Sequence, residues 1–147
     1  LTGVPAKIKL PDAEITADGD ITYYQSQQKA VATKNVIASD AKGSKVYADL
    51  MTAYFTKDAS GKLSLDKIDI ENNVKIINKG ATVTALKGTY FAATGKIKLF
   101  EDVVINQNGN ILKGAEAETN LNTGVSKLLS GGKKGRVSGI FKEKKKD

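Results

Sequence analysis

Apolar and polar residues alternate with a period of two along most of this sequence. Side chains on a β-strand point alternately to its two faces, so this period gives each strand one apolar face. The alternation recurs in many short runs, and the spacing of an amphipathic helix is nowhere sustained. The clearest runs are Ile8 and Leu10, Ile68 and Ile70, Val74 and Ile76, Ile97 and Leu99, and Val103 and Ile105. The pattern therefore predicts an all-β chain.

Turn-forming segments separate these runs. Glycine and asparagine tolerate the positive φ of tight turns, and aspartate caps turns through side-chain hydrogen bonds. The segments are Asp18-Gly-Asp20, Asp40-Ala-Lys-Gly43, Asp58-Ala-Ser-Gly61, Thr94-Gly95, Asn108-Gly109 and Thr123-Gly124. We therefore expect antiparallel hairpins between consecutive strands.

Pieces of the sequence also recur. Asn73-Val74 returns as Asp102-Val103, and Leu86-Lys-Gly88 returns as Leu112-Lys-Gly114. A unit whose strands have one apolar face cannot bury that face alone, so successive units must stack or wrap around a shared interior. The sequence predicts an elongated β-jelly roll, a single domain over residues 1–141. The unpaired backbone groups at its ends invite strands from another chain.

Cys, His and Trp are missing from the sequence. Without Cys there are no disulfides, thiolate nucleophiles or zinc-finger sites, and without His the commonest general base is lost. Glu116 and Glu118 share a strand face, as paired glycosidase carboxylates do, but no sugar-stacking Trp accompanies them. Asp18-Gly-Asp20 lacks the further oxygen ligands of a calcium loop. We expect no enzyme activity, no cofactor and no metal.

The basic charge is concentrated near the end of the sequence. The formal net charge is +7, and residues 133–147 hold seven lysines or arginines and two acidic residues. Arg136 is the sole arginine, whereas nucleic-acid recognition relies on arginine beside aromatic stacking platforms. We therefore expect no nucleic-acid partner. Residues 142–147 are predicted to be a disordered, solubilising tail, with contact to an anionic membrane surface as the alternative.

Targeting signals are not evident in the sequence. No stretch approaches the roughly 20 apolar residues that span a membrane, and no signal-peptide pattern opens the chain. The first residue is Leu1 rather than Met. The expectation is a mature or trimmed product, although a cloning boundary would look the same.

Several sequence frames occur in an order and spacing that resemble one known family. The frames are Ala17-Asp-Gly-Asp-Ile-Thr-Tyr23, Ala32-Thr-Lys-Asn-Val36, Lys45-Val-Tyr-Ala-Asp49, Leu112-Lys-Gly114 and Asn120-Leu-Asn-Thr-Gly124. They resemble the OstA-like proteins of lipopolysaccharide export, most closely the periplasmic member. The segment Arg-Val-Ser-Gly-Ile-Phe at 136–141 resembles the closing strand of that member. The family's Gly-Asn-Val frame is altered here, to Lys34-Asn-Val36, Asn72-Asn-Val74 and Glu101-Asp-Val103.

The resemblance implies a periplasmic lipopolysaccharide transport protein with a twisted antiparallel jelly roll. Its apolar interior would receive lipid A acyl chains. Molecules would stack end to end, bridging an LptC-like partner at the inner membrane and an LptD-like partner at the outer membrane. The groove would be lined by Ile68, Ile70, Val74, Ile76, Ile97, Leu99, Val103 and Ile105.

Each of these assignments has a simpler alternative. The eight groove residues also fit an ordinary filled core. The lysines that are candidates for lipid A phosphates also fit solvated strand or loop positions. These lysines are Lys87, Lys113, Lys133 and Lys134.

Other interpretations of the whole chain stay open. One is a structural β-repeat module that mediates protein contacts, and another is a carbohydrate-acting jelly roll. Within the family, LptC normally keeps a membrane helix and LptD continues into a large outer-membrane barrel. Neither feature is in this sequence, but trimming would remove either one.

Overall fold

The computed structural model describes residues 5–10, 13–129 and 138–140, which form eleven β-strands and one short 3₁₀ turn at Gln25–Gln27. The strands are β1 (Ala6–Lys9), β2 (Ala13–Ala17), β3 (Ile21–Tyr24), β4 (Lys29–Asp40), β5 (Lys45–Lys57), β6 (Leu63–Asn78), β7 (Ala81–Phe91), β8 (Lys96–Gln107), β9 (Asn110–Asn120), β10 (Ser126–Leu129) and β11 (Ser138–Ile140). Every strand pairing among these residues is antiparallel. The predicted all-β antiparallel fold is confirmed.

All eleven strands belong to one sheet. Its order is β1-β2-β4-β5-β6-β7-β8-β9-β10, with β3 also paired to β4 and β11 also paired to β9. β4 pairs with β3 through residues 29–32 and with β2 through residues 37–40. β9 pairs with β11 through residues 111–113 and with β10 through residues 116–119. The six long strands β4 to β9 are therefore flanked by β2 and β3 on one side, with β1 beyond β2, and by β10 and β11 on the other.

A row of backbone irregularities crosses the long strands near their middle. β4, β6 and β8 each have one more residue than their neighbours there, and two consecutive residues have positive φ. The pairs are Lys34-Asn35 (φ 67 and 47), Asn72-Asn73 (φ 67 and 56) and Glu101-Asp102 (φ 66 and 52). We name this row of three pairs the fold line. Because a bulge bends its strand and increases its twist, three aligned bulges bend the whole sheet.

The two parts of the sheet on either side of the fold line face each other. Each half-sheet contains one part of every long strand together with short strands. Half-sheet A consists of β1, β2, β11 and the segments 36–40, 45–48, 74–78, 81–85, 103–107 and 110–114. Half-sheet B consists of β3, β10 and the segments 29–33, 50–57, 63–71, 87–91, 96–100 and 116–120. Lys42, in a turn at the tip of half-sheet A, donates a hydrogen bond from Nζ to Oδ1 of Asn122, at the tip of half-sheet B (3.3 Å). These tips lie at opposite ends of the strands, so the sheet must close on itself. This confirms the predicted jelly roll.

Inward-facing side chains of both half-sheets form one aliphatic core. All eight residues predicted for the interior belong to this core, with exposed fractions between 0% for Ile76 and 5% for Ile68. A Cβ on Gly88 would lie 2.9 Å from Cδ2 of Leu99. The lack of a side chain in β7 therefore lets Leu99 of β8 fill the interior.

The recurring sequence motifs differ in structural meaning. Asn73-Val74 and Asp102-Val103 occupy equivalent places, because each ends a fold-line pair and continues with a buried valine. Leu86-Lys-Gly88 begins at the fold line in β7, whereas Leu112-Lys-Gly114 ends before it in β9. The recurrence of Leu-Lys-Gly in the sequence is therefore not a structural repeat.

The segment Asp18-Gly-Asp20 is a bend and not a hairpin. It leads from β2 to β3, and both of these strands pair with β4. The backbone N–H of Asp18 donates to Lys34 O (2.8 Å), and that of Gly19 donates to Thr33 O (2.9 Å). The bend therefore takes the chain from half-sheet A to half-sheet B, while the strands before and after it both pair with β4.

Candidate binding cavity

A cavity of ≈ 840 Å³ lies between the two half-sheets, on the side of β1, β2, β4 and β5. Pockets that bind small molecules are typically about 300–1,000 Å³. Half-sheet A contributes Ile15 and Val46 to the lining, and half-sheet B contributes Met51, Phe55 and Ile70. The cavity is therefore apolar inside and is formed when the sheet folds over.

The tips of the half-sheets meet beside this cavity. In addition to the hydrogen bond between Lys42 and Asn122, Asn78 Nδ2 donates to Leu121 O (3.3 Å). Gly124 packs against the side chain of Lys79, so closely that a Cβ would lie 2.7 Å from Lys79 Cδ. We name these three contacts the clasp. Because Lys42, Leu121 and Asn122 also line the cavity, the clasp forms one of its borders.

One polar atom in the clasp has no partner. Asn78 is 4% exposed, and its Oδ1 accepts no hydrogen bond within the described part of the chain. A buried acceptor without a partner costs about 1–3 kcal/mol. The clasp is therefore less stable than its two hydrogen bonds alone would make it.

Three exposed lysines line the cavity, and we name the part of the lining that they form its mouth. Lys9 of β1, Lys42 of the β4–β5 turn and Lys62 of the β5–β6 turn all line it and are exposed. Asp40 is the one acidic residue among the described lining residues. Its Oδ1 already accepts hydrogen bonds from the backbone N–H groups of Lys42 and Ser44, each at 2.9 Å. The mouth therefore has an excess of positive charge.

The two turns at the mouth are built in the same way, as their sequences predicted. Asp58 Oδ1 accepts hydrogen bonds from the backbone N–H groups of Ser60 and Lys62 (2.9 Å each) and from the Ser60 hydroxyl (2.6 Å). These bonds, the one from the Ser60 hydroxyl first, lower the pKa of Asp58. Gly43 and Gly61 adopt φ 92 and 85, which suits glycine. Each aspartate thus fixes the backbone that carries a lysine to the mouth.

Three outward-facing lysines of half-sheet B, Lys29, Lys67 and Lys98, lie over aromatic rings instead. Aromatic and lysine side chains alternate along one row of directly paired residues: Tyr24, Lys29, Tyr54, Lys67, Phe91 and Lys96. The ammonium groups of Lys29 and Lys67 lie 5.3 Å and 5.2 Å from the ring centres of Tyr24 and Tyr54. Burial, and then the nearby Asp69 carboxylate, raises the pKa of Tyr54. Two pairs of this row therefore form cation–π contacts, which stabilise the sheet.

The eight residues predicted to line a groove divide into two groups. Ile68 and Ile70 line the cavity. The other six are buried farther along the same core, towards β8: Val74, Ile76, Ile97, Leu99, Val103 and Ile105. Contact of any of the eight with acyl chains stays a prediction. Ile15, Val46, Met51 and Phe55 were missed, although alternation in β2 and β5 marks them as inward-facing.

The lysines proposed from sequence lie elsewhere. Lys87 forms an ion pair with Glu101 (3.8 Å) and, like Lys113, does not line the cavity. Lys133, Lys134 and the tail 142–147 lie outside the described residues. Of the closing segment at 136–141, Ser138–Ile140 form β11 and pair with β9.

The remaining sequence candidates also have structural positions. Glu116 and Glu118 face the same side of β9, and Glu118 forms an ion pair with Lys96 (3.2 Å). Asp18 Oδ2 accepts a hydrogen bond from Asn35 Nδ2 (2.9 Å). The described part of the chain has no group of three acidic or metal-binding side chains suited to a metal ion. None of its helices is long and apolar enough to cross a membrane.

Fold and cavity together define an antiparallel β-jelly-roll protein with an apolar interior. The family model of the LptA/(LptD N-terminal domain) LPS transport protein matches residues 6–125. The chain belongs to this family, which confirms the resemblance seen in its motifs. No match was found among curated protein sequences.

A solved structure has the same fold. It is the crystal structure of LptH, the LptA homologous periplasmic component of the conserved lipopolysaccharide transport device from Pseudomonas aeruginosa. The similarity has a TM-score of 0.72 at 14% sequence identity, and covers 89% of this chain and 95% of that one. The two chains therefore share the jelly-roll fold over nearly their whole lengths.

Proposed function

We propose that this chain is a periplasmic transport protein of the LptA type, which shields the acyl chains of lipopolysaccharide in its apolar cavity. The observation that carries the proposal is the cavity between the two half-sheets in a member of a lipopolysaccharide transport family. The lining is mainly aliphatic and comes from both half-sheets. Such a surface suits flexible hydrocarbon chains better than a rigid polar ligand.

The energetics also suit a carrier. Each methylene group removed from water contributes about 0.8 kcal/mol, so a few methylenes are enough for useful affinity. A carrier needs binding without chemistry, and the family is one of transport proteins. We therefore propose reversible lipid binding as the function, with no catalytic step.

Photo-crosslinking tests this proposal at matched positions. Benzoylphenylalanine at Phe55, which lines the cavity, is expected to capture lipopolysaccharide. The control is Phe91, whose strand position faces outward and pairs with Lys67 and Lys96. A third variant at Val103 asks whether acyl chains reach the core beyond the cavity. Failure to capture lipid at both Phe55 and Val103, with the purified proteins folded, would overturn the proposal.

We also propose that molecules associate end to end, between an LptC-like partner at the inner membrane and an LptD-like partner at the outer membrane. β1 and β3 form one edge of the described sheet, and β10 and β11 form the other. The two edges are different surfaces, so their pairing would be head to tail and would extend into a chain of molecules. Such an arrangement would join successive interiors.

Engineered cysteines distinguish this arrangement from other contacts. The chain has no native Cys, so a single Cys at Lys7 of β1 or at Lys127 of β10 reports one edge alone. Head-to-tail pairing predicts disulfide dimers when the two variants are mixed, and few from either variant alone. A Cys at Lys57, at the end of an internal strand, serves as the control. Dimers formed equally well by each single variant would contradict head-to-tail pairing.

A second function is compatible with the exposed edges. The chain would then be a module for protein contacts alone, or a domain related to LptC or to the N-terminal part of LptD. Mixed-edge dimers together with no lipid capture at Phe55 and Val103 would favour this alternative. Capture of lipid at Phe55 would argue against a purely structural module.

A further inference from the structure

We infer that Lys9, Lys42 and Lys62 form a headgroup site at the mouth of the cavity, and that this site takes an amphiphile with more than one phosphate. The inference rests on the proposed function, because it assumes that the hydrocarbon part lies in the cavity. It assigns different residues to the anionic headgroup than the sequence motifs suggested.

Folding of the sheet brings these three lysines to one mouth. Lys9 lies on β1, Lys42 in the turn after β4 and Lys62 in the turn after β5. All three line the same cavity as the buried Ile15, Met51 and Ile70. A ligand with its apolar part among these core residues would therefore have its polar end beside the lysines.

The charges of this mouth are available to a ligand. Among the described residues, Lys7, Lys87 and Lys96 form ion pairs, and none of the three mouth lysines does. Lys42 donates a hydrogen bond to the neutral side chain of Asn122, which leaves its positive charge uncompensated. Asp40 also lines the cavity, and its Oδ1 accepts hydrogen bonds from backbone N–H groups of its own turn. No ion pair among the described residues therefore holds the three lysines, and their three positive charges exceed the one negative charge of Asp40.

The number and type of these cations indicate the ligand class. Lysine binds phosphate as a compact point charge, whereas planar carboxylates are matched best by the two-pronged guanidinium of arginine. Three cations on three separate elements cannot converge on one small anion as easily as on a headgroup with several charges. The arrangement thus favours a headgroup with at least two phosphates over a single carboxylate.

A triple substitution measures the contribution of the mouth. K9Q/K42Q/K62Q removes three charges, and glutamine at position 42 keeps a donor for Asn122. The matched control K45Q/K57Q/K75Q removes three exposed charges that do not line the cavity. Circular dichroism and thermal unfolding would verify that both variants are folded. Binding is then measured with bisphosphorylated lipid A, monophosphorylated lipid A and the neutral detergent dodecyl maltoside.

The wild-type protein and the control are expected to prefer the bisphosphorylated lipid. In the mouth variant its affinity should fall by roughly ten- to a hundredfold at low salt, as for the loss of several lysine contacts to an anionic lipid surface. Affinity for dodecyl maltoside should stay unchanged, and the difference between the two lipid A forms should shrink. Added salt should weaken binding in the wild type more than in the mouth variant.

Two results would overturn the inference alone. The first is binding of all three amphiphiles by the wild type with equal losses in the mouth variant and the control. The second is competition by inorganic phosphate at concentrations that match the lipid, which would make the mouth a site for free phosphate. Absence of binding to any amphiphile by the wild type would instead overturn the proposed function, and this inference with it.

Discussion

Asn73 donates a hydrogen bond from Nδ2 to Oδ2 of Asp49 on the neighbouring strand, at 2.8 Å, where the sheet folds over. Asn35 makes the same bond to Asp18 at 2.9 Å. In both cases the asparagine has positive φ, 56 for Asn73 and 47 for Asn35. Asparagine is one of the few residues that tolerate this conformation and also carry an amide donor. Two of the three fold-line pairs are therefore fastened by the same contact.

Replacing Asn73 tests whether the fold line stabilises the jelly roll. N73V places a β-branched residue at positive φ and removes the bond to Asp49, so the free energy of unfolding should fall by about 1–3 kcal/mol. N73G should lose less, because glycine adopts positive φ freely. Urea unfolding gives both values. N106V, on an exposed strand position with ordinary φ, is the control, and an N73V variant as stable as the control would contradict the assignment.

A pair of isoleucines tests whether the interior is open. Ile76 is 0% exposed in the packed part of the core, so I76A should lower the free energy of unfolding by about 2–5 kcal/mol. Ile68 lines the cavity and already lacks partner atoms on one side, so I68A should cost less. Both are measured by urea unfolding without lipid. Equal losses would mean that the cavity is filled around Ile68.

Two inward-facing glycines differ in how much space surrounds them. A Cβ on Gly88 would lie 2.9 Å from Leu99 Cδ2 and 3.1 Å from Lys98 O, and a backbone oxygen cannot easily move away. A Cβ on Gly114 would lie 3.0 Å from Leu128 Cδ2, on the short strand β10. We expect G88A to lower the free energy of unfolding by about 1–3 kcal/mol and G114A to lower it less. A larger loss in G114A would show that β10 packs more rigidly against Gly114 than β8 packs against Gly88.

The turn that carries Lys62 should respond to acid through Asp58. Its pKa is lowered mainly by the hydrogen bond from the Ser60 hydroxyl, followed by the backbone N–H of Lys62. Because the folded-state pKa is lowered, the stabilisation is complete above the unfolded-state pKa and is lost as the pH falls through the folded-state value. Carbon-13 NMR titration should give Asp58 a midpoint below the ordinary aspartate value.

The variant S60A tests whether the Ser60 hydroxyl lowers the pKa of Asp58. It removes the hydroxyl donor and should shift the Asp58 midpoint upward. S64A, on the following strand, leaves every hydrogen bond found for Asp58 in place and should not shift it. An unchanged Asp58 midpoint in S60A would show that the backbone donors alone lower its pKa.

The sequence by itself determined the antiparallel strands, most of the turns between them and part of the core. Period-two alternation is a local property, so it correctly placed Ile76, Leu99 and Val103 inside. The turns at Asp40 and Asp58 were equally readable, because an aspartate bonds to backbone N–H groups within its own turn. The altered Gly-Asn-Val frames could also be recognised in the sequence. No feature of the neighbouring sequence showed that they lie in one row across the sheet.

Only the tertiary structure decided where the interior is open and which charges face it. Inward alternation is the same for a filled core and for a cavity, since the difference depends on how two distant half-sheets meet. Lys9, Lys42 and Lys62 resemble other lysines in the sequence, and they share a mouth because the fold line brings the strand tips together. The sheet had to bend before the strand pattern could enclose a cavity.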